Sequence, residues 1–185
     1  MKTQETIWYD ELPTPIGRLR LVADAKGLRE VWFENGKHQK SLDPRWSHDA
    51  GELAFARVQL EEYFAGTRQT FSLPLHPVGT PFQLSVWHEL AHIPYGATIS
   101  YGEMARRIAQ PQAMRAVGAA NGRNPLPIVL PCHRVIGADG SLTGFGGGLP
   151  VKQFLLSMEA RVVGGDLFAS PALSDHSAMT CSTKM

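Results

Sequence analysis

The chain has 185 residues, 43% of them hydrophobic and 19% charged, and a formal net charge of +1. That composition excludes disordered and fibrous classes and supplies enough chain for one core or two small ones. There is no N-terminal apolar stretch of signal-peptide length, no run long enough to cross a bilayer, and only two cysteines, Cys132 and Cys181. The expectation is therefore a cytoplasmic (or nuclear) protein with no membrane partner and no disulfide framework, in which Cys132 is a free thiol.

Three segments open the chain, "TIWYDEL", "GRLRLVADA" and "LREVWFE", each rich in aromatic or branched residues and separated by turn-forming residues. They predict antiparallel strands of a small sheet, with Leu19, Leu21 and Ala23 on one face and Arg18 and Arg20 on the other. Asp49, with Glu52 three residues on, predicts a helix start, and Leu53, Ala56, Leu60 and Phe64 recur at helical spacing until Gly66. This first part, residues 1–78, contains no chemical constellation.

After "HPVGTP" the pattern turns helical, and residues 79–163 form the second part. Phe82, Val86, Leu90 and Ile93 make one apolar stripe that ends at Pro94 and Gly96. Ser100 with Glu103 predicts a capping box and a helix from Tyr101 to Ala109. A further helix is expected over Gln112 to Asn121, with Met114 and Val117 inward and Gly122 at its end. Two short helices joined by "AQPQ" have the form of a helix-turn-helix, and Gly118, Ala119 and Ala120 leave the second one nearly bare. Pro127 to Leu130 is apolar, branched and bounded by prolines, which predicts a buried strand or extended segment leading to Cys132. A last helix opens at Pro150 in "PVKQFLLSMEA", and residues 164–185 are expected to be a flexible tail.

The near-zero net charge hides a local bias. Between Ser100 and Arg134 stand Arg106, Arg107, Arg115, Arg123 and Arg134 against Glu103 alone. Arginine suits bidentate phosphate contacts and base stacking, so an anionic partner such as nucleic acid fits, as does a merely solvated cationic face. "HELAH", His88 to His92, matches the H-E-x-x-H pattern of zinc peptidases. Against it, Tyr95 and Thr98 occupy the glycine and histidine positions of the metzincin extension, Pro94 ends the helix, and no third ligand follows at a useful spacing. No metal site is expected, and a zinc or thiol hydrolase stays a minor alternative.

Cys132 must ionise to react, and its ordinary pKa of about 8.5 leaves only a few per cent thiolate near neutrality unless a base or positive field helps. His133 is adjacent, but neighbouring side chains on extended backbone point apart, so a proton would travel through a water, with a carboxylate orienting the imidazole. Glu159 is the candidate carboxylate. Between them, "TGFGGG" lets backbone amides approach a flat ligand or simply makes a flexible turn.

"SYGEMA", "RAVGAANGRNP", "PCHRVIG", "TGFGGG" and "KQFLLSME", in that order and at those separations, resemble the O6-alkylguanine-DNA alkyltransferases, which repair DNA by direct reversal. The resemblance covers roughly Thr80 to Arg161; the N-terminal segment agrees only in outline. It implies an α+β fold: a small N-terminal antiparallel sheet plus helix, ribonuclease-H-like, then a mainly helical, winged-helix-like C-terminal domain with the helix-turn-helix. It implies a single-turnover methyltransferase acting as a monomer without cofactor on double-stranded DNA that contains O6-alkylguanine.

In that resemblance Cys132 is the alkyl acceptor, His133 takes its proton through water, and Glu159 holds His133. Tyr101 donates to N3 of the flipped guanine, and Asn124 braces the turn before the cysteine segment. Arg115 fills the gap left by the base, on a helix lying in the minor groove with Gln112, Met114, Ala116 and Arg123. Backbone near Val135 and Gly146 contacts the base edge, and Phe145 stacks on it where many relatives carry tyrosine. No N-terminal cysteine is present for the zinc site of relatives fused to a regulatory domain. A sister group of non-catalytic DNA binders, the other alternative, carries tryptophan in place of the acceptor cysteine.

Overall fold

The computed structural model describes residues 5–36 and 41–164. The tail expected over 164–185 lies outside them except for Gly164, which ends the last helix. The α+β class expected from the sequence is what the structure has. Strands β1 (Ile7–Thr14), β2 (Gly17–Asp24) and β3 (Gly27–Phe33) run antiparallel, and a two-residue strand β4 (Ser47–His48) adds in parallel to β1, giving the order β3-β2-β1-β4. Leu19, Leu21 and Ala23 are fully buried, whereas Arg18 and Arg20 turn to the other face and reach Glu11. The alternation breaks at Val22, also buried, where the register with β3 shifts. Gly27 starts β3 at φ +141, and a Cβ there would stand 2.3 Å from the Pro74 carbonyl oxygen.

Helix α1 (Ala54–Phe64) packs on β1 and buries Ala56, Leu60 and Tyr63. Asp49 does not cap it: its Oδ1 accepts from the Gly51 and Glu52 N–H groups and closes the turn ahead of the helix. Helix α2 (Pro81–Leu90) carries a full capping box that the sequence reading passed over, Thr80 with Gln83, with Pro81 at its first position. Buried Trp87 donates through Nε1 to the Ala120 carbonyl at 2.9 Å and fixes α2 on the helix Met114–Gly122.

Helices α3 (Tyr101–Arg107) and α4 (Met114–Gly122) flank a 3-10 turn, Pro111–Ala113. Ser100 accepts from the Glu103 N–H, but the Glu103 carboxylate turns to Arg106 and Arg107, so only half the expected capping box forms. Helix α4 begins at Met114 rather than Gln112; Val117 is buried as expected, together with Ala120 and Asn121. Met114 is 51% exposed, contrary to the inward position expected for it.

Residues 127–130 are buried, as expected, but not extended. Pro125 and Pro127 offer no N–H, Leu130 N bonds Leu126 O at 2.8 Å, and Ile128 adopts φ +75, so the segment is a run of turns. It delivers the chain to a second 3-10 turn, Cys132–Arg134, and to β6 (Val135–Ile136), which pairs in parallel with β5 (Ile99–Ser100). Helix α5 (Leu149–Gly164) closes the fold. One apolar core runs from Leu12 and Leu21 through Tyr63 to Leu126, Val135 and Leu155, and Val31 N bonds Pro125 O at 2.8 Å, so the sheet seats the segment that carries the cysteine.

Candidate active site

Glu159 is the centre of the polar network. Its side chain is fully buried and accepts from Tyr63 Oη at 2.6 Å, His133 Nε2 at 2.8 Å, Arg134 Nε and Nη2 at 2.9 Å each, and Gly96 N at 3.0 Å. Burial alone would raise its carboxyl, but the bonds from His133 and Arg134 outweigh burial and hold it well below the usual carboxylate range. An ionised carboxylate only accepts, so the His133 nitrogen facing it, Nε2, carries the proton. Burial, opposed by Glu159, lowers the His133 pKa and keeps the ring neutral. Its other nitrogen, Nδ1, is then a lone-pair base, and it is buried without a hydrogen-bond partner among the described residues.

Cys132 sits one residue before, 4% exposed. Burial pushes its thiol up to about 11, against a hydrogen bond from Asn124 and the charge of Lys152. The resting group is therefore a thiol, and it needs a base more than an ordinary cysteine does. The Cys132–His133–Arg134 backbone is a 3-10 turn, not the extended chain assumed from sequence. Asn124 Oδ1 accepts from Leu126 N at 3.0 Å and its Nδ2 donates to Leu130 O at 2.7 Å, which clamps the turns leading to the cysteine. Asn121 Nδ2 adds a bond of 3.3 Å to the Cys132 carbonyl.

Two cavities meet at Gly122 and Gly146. One, about 600 Å³, is lined by Tyr101, Met114, Arg115, Gly118, Thr143 and Phe145. The other, about 260 Å³, has Cys132 in its wall with Asn121, Arg123, Asn124, Trp32 and Phe33. The structure thus gathers Tyr101, Met114, Arg115, Phe145 and Gly146 on one side and Cys132, Arg123 and Asn124 on the other. Tyr101 Oη accepts from Thr143 Oγ1 at 2.9 Å, so its own hydrogen remains to be donated. Phe145 packs edge-on to Phe33 and to His133. Gln112, Arg115, Ala116 and Arg123 lie on the exposed side of α4 and its flanks, and Val135 is buried. The Val135 N–H donates to the Cys132 carbonyl and its carbonyl accepts from Lys152.

The run of arginines divides into separate uses. Arg134 goes into the core with Glu159 and the Ile93 carbonyl, and Arg106 and Arg107 pair with Glu103. Among the described residues Arg115 and Arg123 have no ion-pair partner. Sequence reasoning missed Tyr63, Arg134 and Lys152 as parts of the site. For Lys152 there was a signal: it lies seven residues before Glu159, on the same buried stripe as Leu155 and Met158. In "HELAH" His88 and His92 are exposed, their ring centroids 5.0 Å apart, and Glu89 faces both His92 and Arg107. Elsewhere Glu5, Asp24 and His76 come together, but Arg29 donates to both carboxylates, so an ion-pair network fills that cluster.

Two models of one family match successive parts of the chain: "6-O-methylguanine DNA methyltransferase, ribonuclease-like domain" over residues 7–77 and "6-O-methylguanine DNA methyltransferase, DNA binding domain" over residues 81–161. The chain belongs to the 6-O-methylguanine DNA methyltransferase family. The Methylated-DNA--protein-cysteine methyltransferase of Methanosarcina acetivorans is 48% identical over 153 residues, 83% of this chain and 98% of that protein. That of Haemophilus influenzae is 46% identical over 157 residues, 83% of this chain and 86% of its own. The crystal structure of Mycobacterium tuberculosis OGT in complex with DNA superposes with a TM-score of 0.78 at 44% identity, covering 84% of this chain and 94% of that one.

Proposed function

We propose that this protein binds duplex DNA, everts an O6-alkylated guanine into the cavity beside Tyr101 and transfers the alkyl group irreversibly to Cys132. Alkyl transfer to a cysteine in DNA repair is the family's reaction and this chain's. The observation that carries the residue assignment is the His133–Glu159 pair behind the cysteine, with Nδ1 of a neutral imidazole unpartnered and its tautomer fixed by a carboxylate.

The Cys132 proton passes through one water to His133 Nδ1. The thiolate attacks the alkyl carbon, an S–C bond forms, the C–O6 bond breaks, and its electron pair returns to the purine. Tyr101 donates toward N3 and neutralises the leaving base. Displacement at saturated carbon makes no tetrahedral oxyanion, so a soft nucleophile and a neutralised leaving group meet its demands. The product is a thioether, which water does not cleave, so each molecule reacts once.

Flipping costs a few kcal/mol. Arg115, exposed and without an ion-pair partner among the described residues, fills the space left in the stack while α4 lies in the minor groove, and Arg123 contacts phosphate. Phe145 stacks on the base and Gly146 lets it approach.

The test is intact-protein mass after incubation with a duplex oligonucleotide bearing a single O6-methylguanine. The expected result is one added methyl group, mapped to Cys132 by digestion and absent from Cys132→Ala. Multiple turnovers, or no mass gain despite tight binding, would overturn the proposal, the latter in favour of a non-catalytic binder.

A further inference from the structure

Lys152 is the one fully buried lysine among the described residues, its residue 0% exposed, and no carboxylate pairs with it. Its Nζ donates instead to the Val135 carbonyl at 2.7 Å and to the Thr143 carbonyl at 3.2 Å. Burying an ammonium on neutral acceptors is costly and proteins rarely retain it without a use. The two acceptors are informative. Val135 follows the Cys132–Arg134 turn, and Thr143 begins the glycine-rich loop that walls the larger cavity and bonds Tyr101. An ammonium has three donors, and the two carbonyls use two of them. Its charge also reaches the cysteine: the fields of Lys152 and of the Cys132 sulfur act on each other, each favouring the other's ionised form.

We propose that Lys152 is a positioning residue for alkyl transfer, tying the glycine-rich loop to the cysteine segment and holding a positive charge at the Val135 carbonyl, three residues along the chain from Cys132, where its field favours the thiolate. This rests on the reading of Cys132 as the acceptor. A neutral lysine amine still donates to both carbonyls but no longer carries charge, so pH separates the tether from the field. Burial lowers the Lys152 pKa from its ordinary 10.5, which places that separation below pH 10.5.

The experiment measures two rates against pH for the wild type, Lys152→Met and Lys152→Arg: methyl transfer from the O6-methylguanine duplex, and alkylation of Cys132 by iodoacetamide without DNA. His133 and Arg134 on the cysteine turn, Glu159 on α5, Tyr63 on α1, Tyr101 on α3, and Arg115 and Arg123 on and just after α4 surround the site. They are present in all three proteins, so their titration cancels in the ratio of rates. At neutral pH the wild type should exceed Lys152→Met by roughly tenfold or more in both reactions, since a neighbouring opposite charge shifts a pKa by a unit or more. That ratio should shrink as pH rises through the Lys152 pKa, and Lys152→Arg should retain most of the advantage.

A wild-type to Met ratio that stays constant with pH would reduce Lys152 to a tether and overturn the proposal. If the wild type transfers no methyl group, the functional reading fails, and the iodoacetamide ratio still decides the role of the charge. If Lys152→Met does not fold, the wild-type iodoacetamide profile decides. Its slope should fall where the lysine loses its proton and recover before the thiol itself ionises, and a profile described by the thiol ionisation alone overturns the claim.

Discussion

Replacing Glu159 by glutamine keeps the size of the side chain and removes its charge. In the wild type five donors from four residues converge on two oxygens: Tyr63, His133, Gly96 and two nitrogens of Arg134. A glutamine has one oxygen to accept with, and its NH2 must then face donors. The Arg134 guanidinium would be left buried without a counter-charge, and breaking one partner out of such a pair costs about 3–5 kcal/mol. Against a total stability of about 5–15 kcal/mol, this moves a denaturation midpoint by a large fraction of its range. The sign with pH follows from the direction of the shift. The Glu159 carboxyl is held below its ordinary 4.5 in the fold, so its contribution is complete above that value and is lost as pH falls beneath it. The glutamine variant lacks this dependence, and the gap between the two proteins should close from pH 4.5 downward. Urea denaturation of both proteins at pH 7 and at stepped acid pH measures this. A loss under about 1 kcal/mol at pH 7, or a gap that does not change in acid, would refute the account of Glu159 as the charged hub.

Tyr63→Phe removes one neutral donor from the same carboxylate and should cost about 1.5–3 kcal/mol by the same denaturation measurement, less than Glu159→Gln. Tyr101→Phe should leave DNA affinity within twofold but slow single-turnover methyl transfer by about a hundredfold, since it removes the proton offered to the leaving purine. Arg115→Ala and Arg123→Ala should leave thermal stability unchanged and weaken binding to duplex DNA. Each should lower the slope of log affinity against log salt by about one where it contacts a phosphate, read from anisotropy titrations. Gly27→Ala combines a left-handed φ with a Cβ 2.3 Å from the Pro74 oxygen, so a loss of about 1–3 kcal/mol from strain alone is expected in thermal melts.

What the sequence made legible was local. Strand faces around Leu19 and Leu21 and the stripe through Val86 and Leu90 came through because periodicity carries them, while the pairing of His133 with Glu159 came from the family resemblance. The extended reading of residues 127–130 failed because an apolar run between prolines looks the same whether it forms a ladder or a buried set of turns; the decisive contacts come from Asn124, several residues away. Met114 has the spacing of an inward residue, three before buried Val117, but it opens the helix directly after the 3-10 turn at Pro111–Ala113 and faces the larger cavity instead of the core. Tyr63 could not have been found from spacing, because it stands 96 positions from the carboxylate it serves. Arg134 counted toward a cationic surface in the sequence, and the structure shows that charge facing inward.

The hydroxyl of Tyr63 travels on α1, in the half of the protein that seemed chemically silent, and ends on the carboxylate that orients His133. A chain cut to residues 81–161 would keep every side chain that spacing nominates for chemistry, and would strip one of the clamps from the imidazole while laying bare the apolar seam under Val31 and Pro125. On the proposed mechanism the opening sheet and helix are thus a buttress for proton transfer, and drift in their packing is expected to change the reactivity of a sulfur they do not carry.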